Sequence, residues 1–188
     1  MSIIVTLRER LRAETRRAHD AVDAAFGRLD VGTPDGLAAF LRAQASGIAA
    51  MRAAATGSGE GAAAAWDVAL DDIAADLSVL GARAPKRAKP PVDDHPLARA
   101  YIWHGSRLGT RMLARRWEGA TDPVVRQAGH YFGRAPDRTA WRALSDDLDA
   151  RSGRGTEADR VTRAANDWFA VYEHCAASAA PGRERTNA

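Results

Sequence analysis

Histidine is scarce in this chain, so each of His19, His95, His104, His130 and His174 is a candidate for chemistry. His19 has the most suggestive company. In a helix, Arg12 and Phe26, seven residues to either side, fall within ~20° of its line. Arg16 and Asp23, three before and four after, flank it. That stripe mixes cation, imidazole and aromatic in a way a plain core face does not. A neutral imidazole on a partly apolar face is a good ligand for iron, and an arginine one or two turns away suits a carboxylate on whatever carries that iron. A lone helical histidine is also often just hydrogen-bonded or exposed, and spacing alone leaves both readings open.

The second suggestive stretch is Tyr101-Ile102-Trp103-His104-Gly105-Ser106-Arg107-Leu108-Gly109-Thr110. It sits in a pattern that otherwise reads as a long helix, with Leu97, Tyr101, Leu108 and Met112 as a core-facing stripe. Gly105 and Gly109, four residues apart, project from nearly the same side. Each costs a helix about 1 kcal/mol relative to alanine, so the pair needs a reason. One reason is close packing of a neighbouring helix. The other is a flat molecule lying against the backbone, where any Cβ would collide with it.

The elements that position these residues are all helical. Thr6 and Glu9 have capping-box spacing and open a first helix running to Gly27, with Leu7, Leu11, Val22 and Phe26 inward. Thr33-Pro34 starts a second, to about Ala55, on Leu37, Phe40, Leu41, Ile48 and Met51. After a turn at Gly57-Ser58-Gly59-Glu60-Gly61, a third runs from Ala62 to Leu80 and stops at Gly81. Pro85, Pro90, Pro91 and Pro96 mark an extended surface connection over 82–96, not a boundary between two cores. Pro96 opens the glycine-bearing helix, expected to reach Trp117. Asp122-Pro123 starts a fifth through Phe132, Pro136-Asp137 a sixth through Leu148, and Thr156 caps the last, with Val161, Ala165, Trp168, Phe169 and Tyr172 buried. No sustained period-two alternation occurs. The expectation is an all-α, single-domain bundle of about seven helices over residues 1–180, with a frayed tail at 181–188.

Composition narrows the function. With 188 residues, 46% hydrophobic and 27% charged, the chain has the balance of one globular domain. Its 27 basic residues are interleaved with 24 acidic ones and no basic run carries stacking aromatics, which argues against nucleic acid. Cys175 stands alone, so neither an intramolecular disulfide nor a cysteine-rich zinc site is available. No apolar run approaches the ~18 residues of a membrane span and no signal peptide is evident. A cytoplasmic protein is expected. A di-iron carboxylate centre wants Glu-x-x-His pairs on several helices, and the sequence has none.

Taken together, several segments carry a resemblance. The run Leu11-Arg12-Ala13-Glu14-Thr15-Arg16-Arg17-Ala18-His19-Asp20-Ala21-Val22-Asp23 with Phe26 is similar to the proximal helix of the heme oxygenase family, closest to the bacterial members that accompany bacteriophytochromes. Asp76-Leu77-Ser78-Val79-Leu80-Gly81, the stretch from Tyr101 to Gly109, Trp141, and Ala164-Ala165-Asn166-Asp167-Trp168-Phe169 resemble later segments of the same enzymes, in the same order.

The resemblance implies heme b as both substrate and cofactor, with His19 as axial iron ligand. Arg12, Arg16 and, more loosely, Arg142 would meet the propionates, and Phe26 and Tyr101 would line the pocket. Gly105, Ser106 and Gly109 would form the distal catalytic face. The implied reaction cleaves heme to biliverdin, ferrous iron and carbon monoxide, using dioxygen and electrons from a ferredoxin-type or flavodoxin-type donor. The product would suit a bacteriophytochrome. Better-known members carry aspartate where Ser106 stands, many have glycine at Thr110, and glutamate is commoner at His104. A non-catalytic heme-binding or heme-transfer protein with the same pocket is the alternative.

Overall fold

A computed structural model describes residues 5–55 and 62–180. The turn expected at Gly57–Gly61 and the tail at 181–188 lie outside the described residues. In chain order the helices are α1 (Leu7–Glu14), α2 (Arg16–Gly27), α3 (Pro34–Ala54), α4 (Ala63–Val79) and α5 (Pro96–Gly109). They continue as α6 (Arg111–Glu118), α7 (Pro123–Gln127), α8 (His130–Gly133), α9 (Arg138–Ala150) and α10 (Thr156–Ala179). No strand forms among the described residues, where an isolated antiparallel bridge joins Thr6 to Ser152.

Three of the seven expected helices are each divided in two, and each division has a local cause. At Thr15 the hydroxyl donates to the Leu11 carbonyl at 2.7 Å, competing with the backbone bond and separating α1 from α2. At Thr110 the hydroxyl donates to the Arg107 carbonyl at 3.0 Å, and α6 sets off from there. Met112 is therefore 76% exposed, contrary to the core-facing stripe expected of it. Between α7 and α8 the Trp117 indole N–H takes the Val125 carbonyl at 2.8 Å, the acceptor a continuing helix would need for Gly129. Asp76, buried on α4, then starts α8 by accepting the His130 and Tyr131 amides, both at 2.9 Å.

Several ends are as the sequence indicates. Thr6 and Glu9 form a reciprocal capping box, Thr33 caps α3 with Pro34 at its first position, and Gly81 ends α4 at φ 63°. The start of α10 differs: Gly155 at φ 97° is the cap, and Thr156 is already helical without a side-chain capping bond.

The core is built around α10, which packs on α3, α2 and α5, while α3 also packs on α4. Trp168, Ala165, Tyr172, Ile48, Met51, Phe40 and Trp66 fill it. The segment 82–95 is extended, as expected, and its ends are pinned. Ser46 on α3 donates to the Lys86 carbonyl at 2.8 Å. Asp94 accepts the Trp168 indole N–H at 2.9 Å and pairs with buried Arg99. His95 caps α5 by accepting the Leu97 amide on Nδ1, so Nε2 carries the proton that meets Glu157 at 3.0 Å. Together these contacts fix where α5 begins, and hence how it lies over the space between it and α2.

Candidate functional site

That space is a cavity of about 860 Å³, with α1 and α2 on one side and α5 on the other. Its volume falls in the range of small-molecule sites. Phe40 and Gln44 of α3, Phe169 and Tyr172 of α10, and Trp141 and Asp149 of α9 complete its walls.

His19 faces this cavity from α2. Its Nδ1 lies 3.2 Å from Oδ2 of Asp23, one turn ahead, and the edge of its ring meets Phe169 at 5.6 Å. Among the described residues no hydrogen bond engages Nε2. Of the two neutral tautomers, the one that carries its proton on Nδ1, beside this carboxylate, leaves the Nε2 lone pair free. No group of three or more metal-binding side chains gathers among the described residues. An ion held through His19 therefore has to bring most of its own ligands.

The two glycine explanations now separate. A Cβ built on Gly105 or Gly109 meets nothing within 4 Å, and both residues line the cavity. The pair does not serve helix packing. Gly47 of α3 is a packing glycine by contrast, its Cβ lying 2.7 Å from the Tyr172 ring if built. His19 and the two glycines line the same cavity, the one bringing a nitrogen donor and the others bare backbone. These residues fit a flat macrocycle that carries a metal and has oxygen-bearing substituents.

Most of the other residues singled out in the sequence converge here. Arg12, Arg16, Phe26, Tyr101 and Ser106 all line the cavity. Arg12 has no ion-pair partner among the described residues, and Arg16 approaches only Asp20, at 3.9 Å and mostly exposed, a contact worth little. Both guanidiniums are therefore free for an anionic ligand. Phe26 meets Phe40 edge-on at 5.7 Å, and Tyr101 tilts against Trp141 at 6.1 Å. Ser106 donates its hydroxyl hydrogen to the Trp103 carbonyl at 2.9 Å. Arg142 is different: it is exposed on α9 and lies outside the cavity lining, although its neighbour Trp141 belongs to it. His104 is half-buried, also off the lining, and burial pushes its imidazole below the ordinary value against a weaker pull from Asp137.

Sequence reasoning missed Arg8, Gln44, Leu113 and Asp149 among the lining residues. Arg8 and Asp149 form a 2.8 Å ion pair between α1 and α9 at the cavity rim. Gln44 is 4% exposed and contributes an amide to the wall. A signal for it was present: Gln44 lies four residues from both Phe40 and Ile48, a polar side chain on an otherwise apolar stripe.

No protein-family model matches the chain, and no curated protein sequence does either. Among solved structures, a heme oxygenase from Neisseria meningitidis, determined with NO and CO bound, superposes with a TM-score of 0.68. The match covers 93% of this chain and 92% of that one at 20% sequence identity. At that identity the likeness is one of architecture. The chain has the all-α heme oxygenase fold, and its cavity lies between the helix that carries His19 and the helix that carries Gly105 and Gly109.

Proposed function

We propose that this cavity binds heme b with His19 as the axial ligand, and that the protein is a heme oxygenase, cleaving heme to biliverdin, ferrous iron and carbon monoxide. The carrying observation is the open space beside Gly105 and Gly109 in the cavity that His19 also lines. Heme, the substrate, supplies the redox and oxygen chemistry when bound.

The chain's own residues do the positioning. Asp23, 3.2 Å from Nδ1, favours the tautomer that keeps its proton on that nitrogen. Arg12 and Arg16 meet the propionates by charge-assisted hydrogen bonds. Gly105 and Gly109 let the α5 backbone close over the opposite face. Ser106, its hydrogen committed to Trp103, offers lone pairs that accept from water and so orient it for proton supply. Dioxygen and a ferredoxin-type or flavodoxin-type donor complete the reaction in this reading. Supply of biliverdin to a bacteriophytochrome belongs to the same proposal and rests on the sequence resemblance.

One observation favours a second reading, a heme carrier. The α5 residues that line the cavity include no carboxylate, and the hydroxyl hydrogens of Ser106 and Thr110 are both spent on helix carbonyls. Adding ascorbate or reduced ferredoxin in air to the hemin complex decides between them. An oxygenase loses its Soret band to a broad red biliverdin absorption. A carrier keeps the Soret band.

A further inference from the structure

The cavity has two chemically different ends. Phe26 lies seven residues after His19 along α2, roughly 10 Å at 1.5 Å per residue, and Arg12 lies on the other side of His19, on α1. The Arg12 end carries charge, with the Arg8–Asp149 pair at its rim. The Phe26 end is closed by aromatic rings, and Phe26 leans edge-on against Phe40 of α3. One turn beyond Phe40, Gln44 brings a buried amide into this closed end.

That amide is oriented. The Tyr131 hydroxyl donates to Gln44 Oε1 at 3.4 Å. Tyr131 is itself held, its ring lying 4.5 Å from the buried Arg107 guanidinium, which donates to the Arg134 carbonyl at 2.8 Å. With its oxygen turned to Tyr131, Gln44 presents Nε2 to the cavity. Among the described residues no hydrogen bond holds Nε2. Nor is it one of the sealed, partnerless polar atoms, which are Trp66 Nε1, Ser145 Oγ and Thr162 Oγ1. A buried donor kept open in an aromatic wall calls for an acceptor on the ligand.

Heme offers none at this end. With its propionates drawn to the arginines, the rest of its rim is methyl and vinyl groups. The ring-opened tetrapyrrole differs, because it carries two lactam carbonyl oxygens where the bridge carbon was lost. Opening at the bridge opposite the propionates puts those oxygens at the Gln44 end. We infer that Gln44, aimed by Tyr131, recognises the product: its Nε2–H donates to a terminal lactam carbonyl and holds the opened chain in the cavity. This rests on the heme-cleavage reading above.

The test is two binding titrations on the full chain, one with hemin and one with biliverdin, for the wild type, Gln44→Leu and Tyr131→Phe. Gln44→Leu is expected to bind biliverdin about tenfold more weakly while hemin affinity stays within about twofold. Tyr131→Phe, which keeps the ring packing, is expected to lose about threefold for biliverdin only. It carries the test should Gln44→Leu fail to fold. The lactam C=O stretch of bound biliverdin, read by resonance Raman, should rise in frequency in both variants as the donor is lost or misaimed. Equal losses for both ligands, or no loss for biliverdin, overturn the inference and leave heme binding standing. A wild type that binds no hemin overturns the proposed function and this inference with it.

Discussion

Oδ2 of Asp23 lies 3.2 Å from Nδ1 of His19, one helical turn ahead, so a single stretch of α2 supplies both the imidazole and a carboxylate beside it. Carboxylates in this position fix the ring and raise the basicity of the other nitrogen. Both side chains are more than half exposed, which tempers the effect. Asp23→Asn should weaken hemin binding about threefold to tenfold and raise the ferric–ferrous midpoint potential of the complex. Potentiometry on the two complexes measures it. An unchanged potential would show that the carboxylate does not tune His19.

Gly105 and Gly47 give opposite expectations. A Gly105→Ala methyl enters empty space, so it should stabilise the free protein by about 1 kcal/mol through helix propensity. Gly105→Leu should fill that space and lower hemin affinity at least tenfold, with the fold intact. Gly47→Ala should instead cost about 1–3 kcal/mol, because its methyl meets the buried Tyr172 ring at 2.7 Å. Urea unfolding and hemin titration of all three variants check the pattern. Destabilisation by Gly105→Ala would mean that the glycine serves packing after all.

Asp76 ties α4 to the start of α8. Its carboxylate is 1% exposed and accepts the His130 and Tyr131 amides and His130 Nδ1, the last at 2.8 Å. Asp76→Ala leaves the buried Tyr131 amide without its acceptor and should cost about 2 kcal/mol. The urea midpoint reads the loss. Because Tyr131 follows His130 into α8, the biliverdin affinity argued for Gln44 should fall as well.

His104 gives the stability a pH dependence. Burial holds its folded-state pKa below the ordinary value of 6.5, so the unfolded chain takes up the proton first. Its contribution is fully present above about pH 6.5 and is lost as the pH falls from there through the lower folded-state pKa. The melting temperature should drop between pH 7 and pH 5.5, and His104→Leu should drop less over the same interval. Parallel curves for the two proteins would contradict this.

Much of the framework is legible in the sequence because it is written locally. Thr6 with Glu9, Thr33 with Pro34, and Gly81 announce their helix ends through neighbours three or fewer residues away. His19, Arg12, Arg16 and Phe26 declare a common face through helical spacing alone, and they do line one cavity. What stays hidden depends on partners distant in the chain. The division at Gly129 needs the Trp117 indole, and the start of α8 needs Asp76. Arg8 acquires its meaning from Asp149, far along the chain on α9. The glycine question was open for the same reason: spacing shows that Gly105 and Gly109 share a side, and only the assembled walls show that this side is empty. Arg142 illustrates the converse, a plausible type in the right helix that nevertheless lies outside the lining.

The central claim is that His19 is the nitrogen that holds heme iron in this cavity. An absorption titration with hemin, run on the wild type and on His19→Ala with and without added imidazole, tests it most directly. The expected result is a Soret band saturating at one equivalent in the wild type, a blue-shifted and weaker complex in His19→Ala, and recovery of the wild-type band when imidazole occupies the vacated space. An identical Soret band in His19→Ala without imidazole would place the iron ligand elsewhere, and no saturable binding to the wild type would remove heme from the cavity altogether.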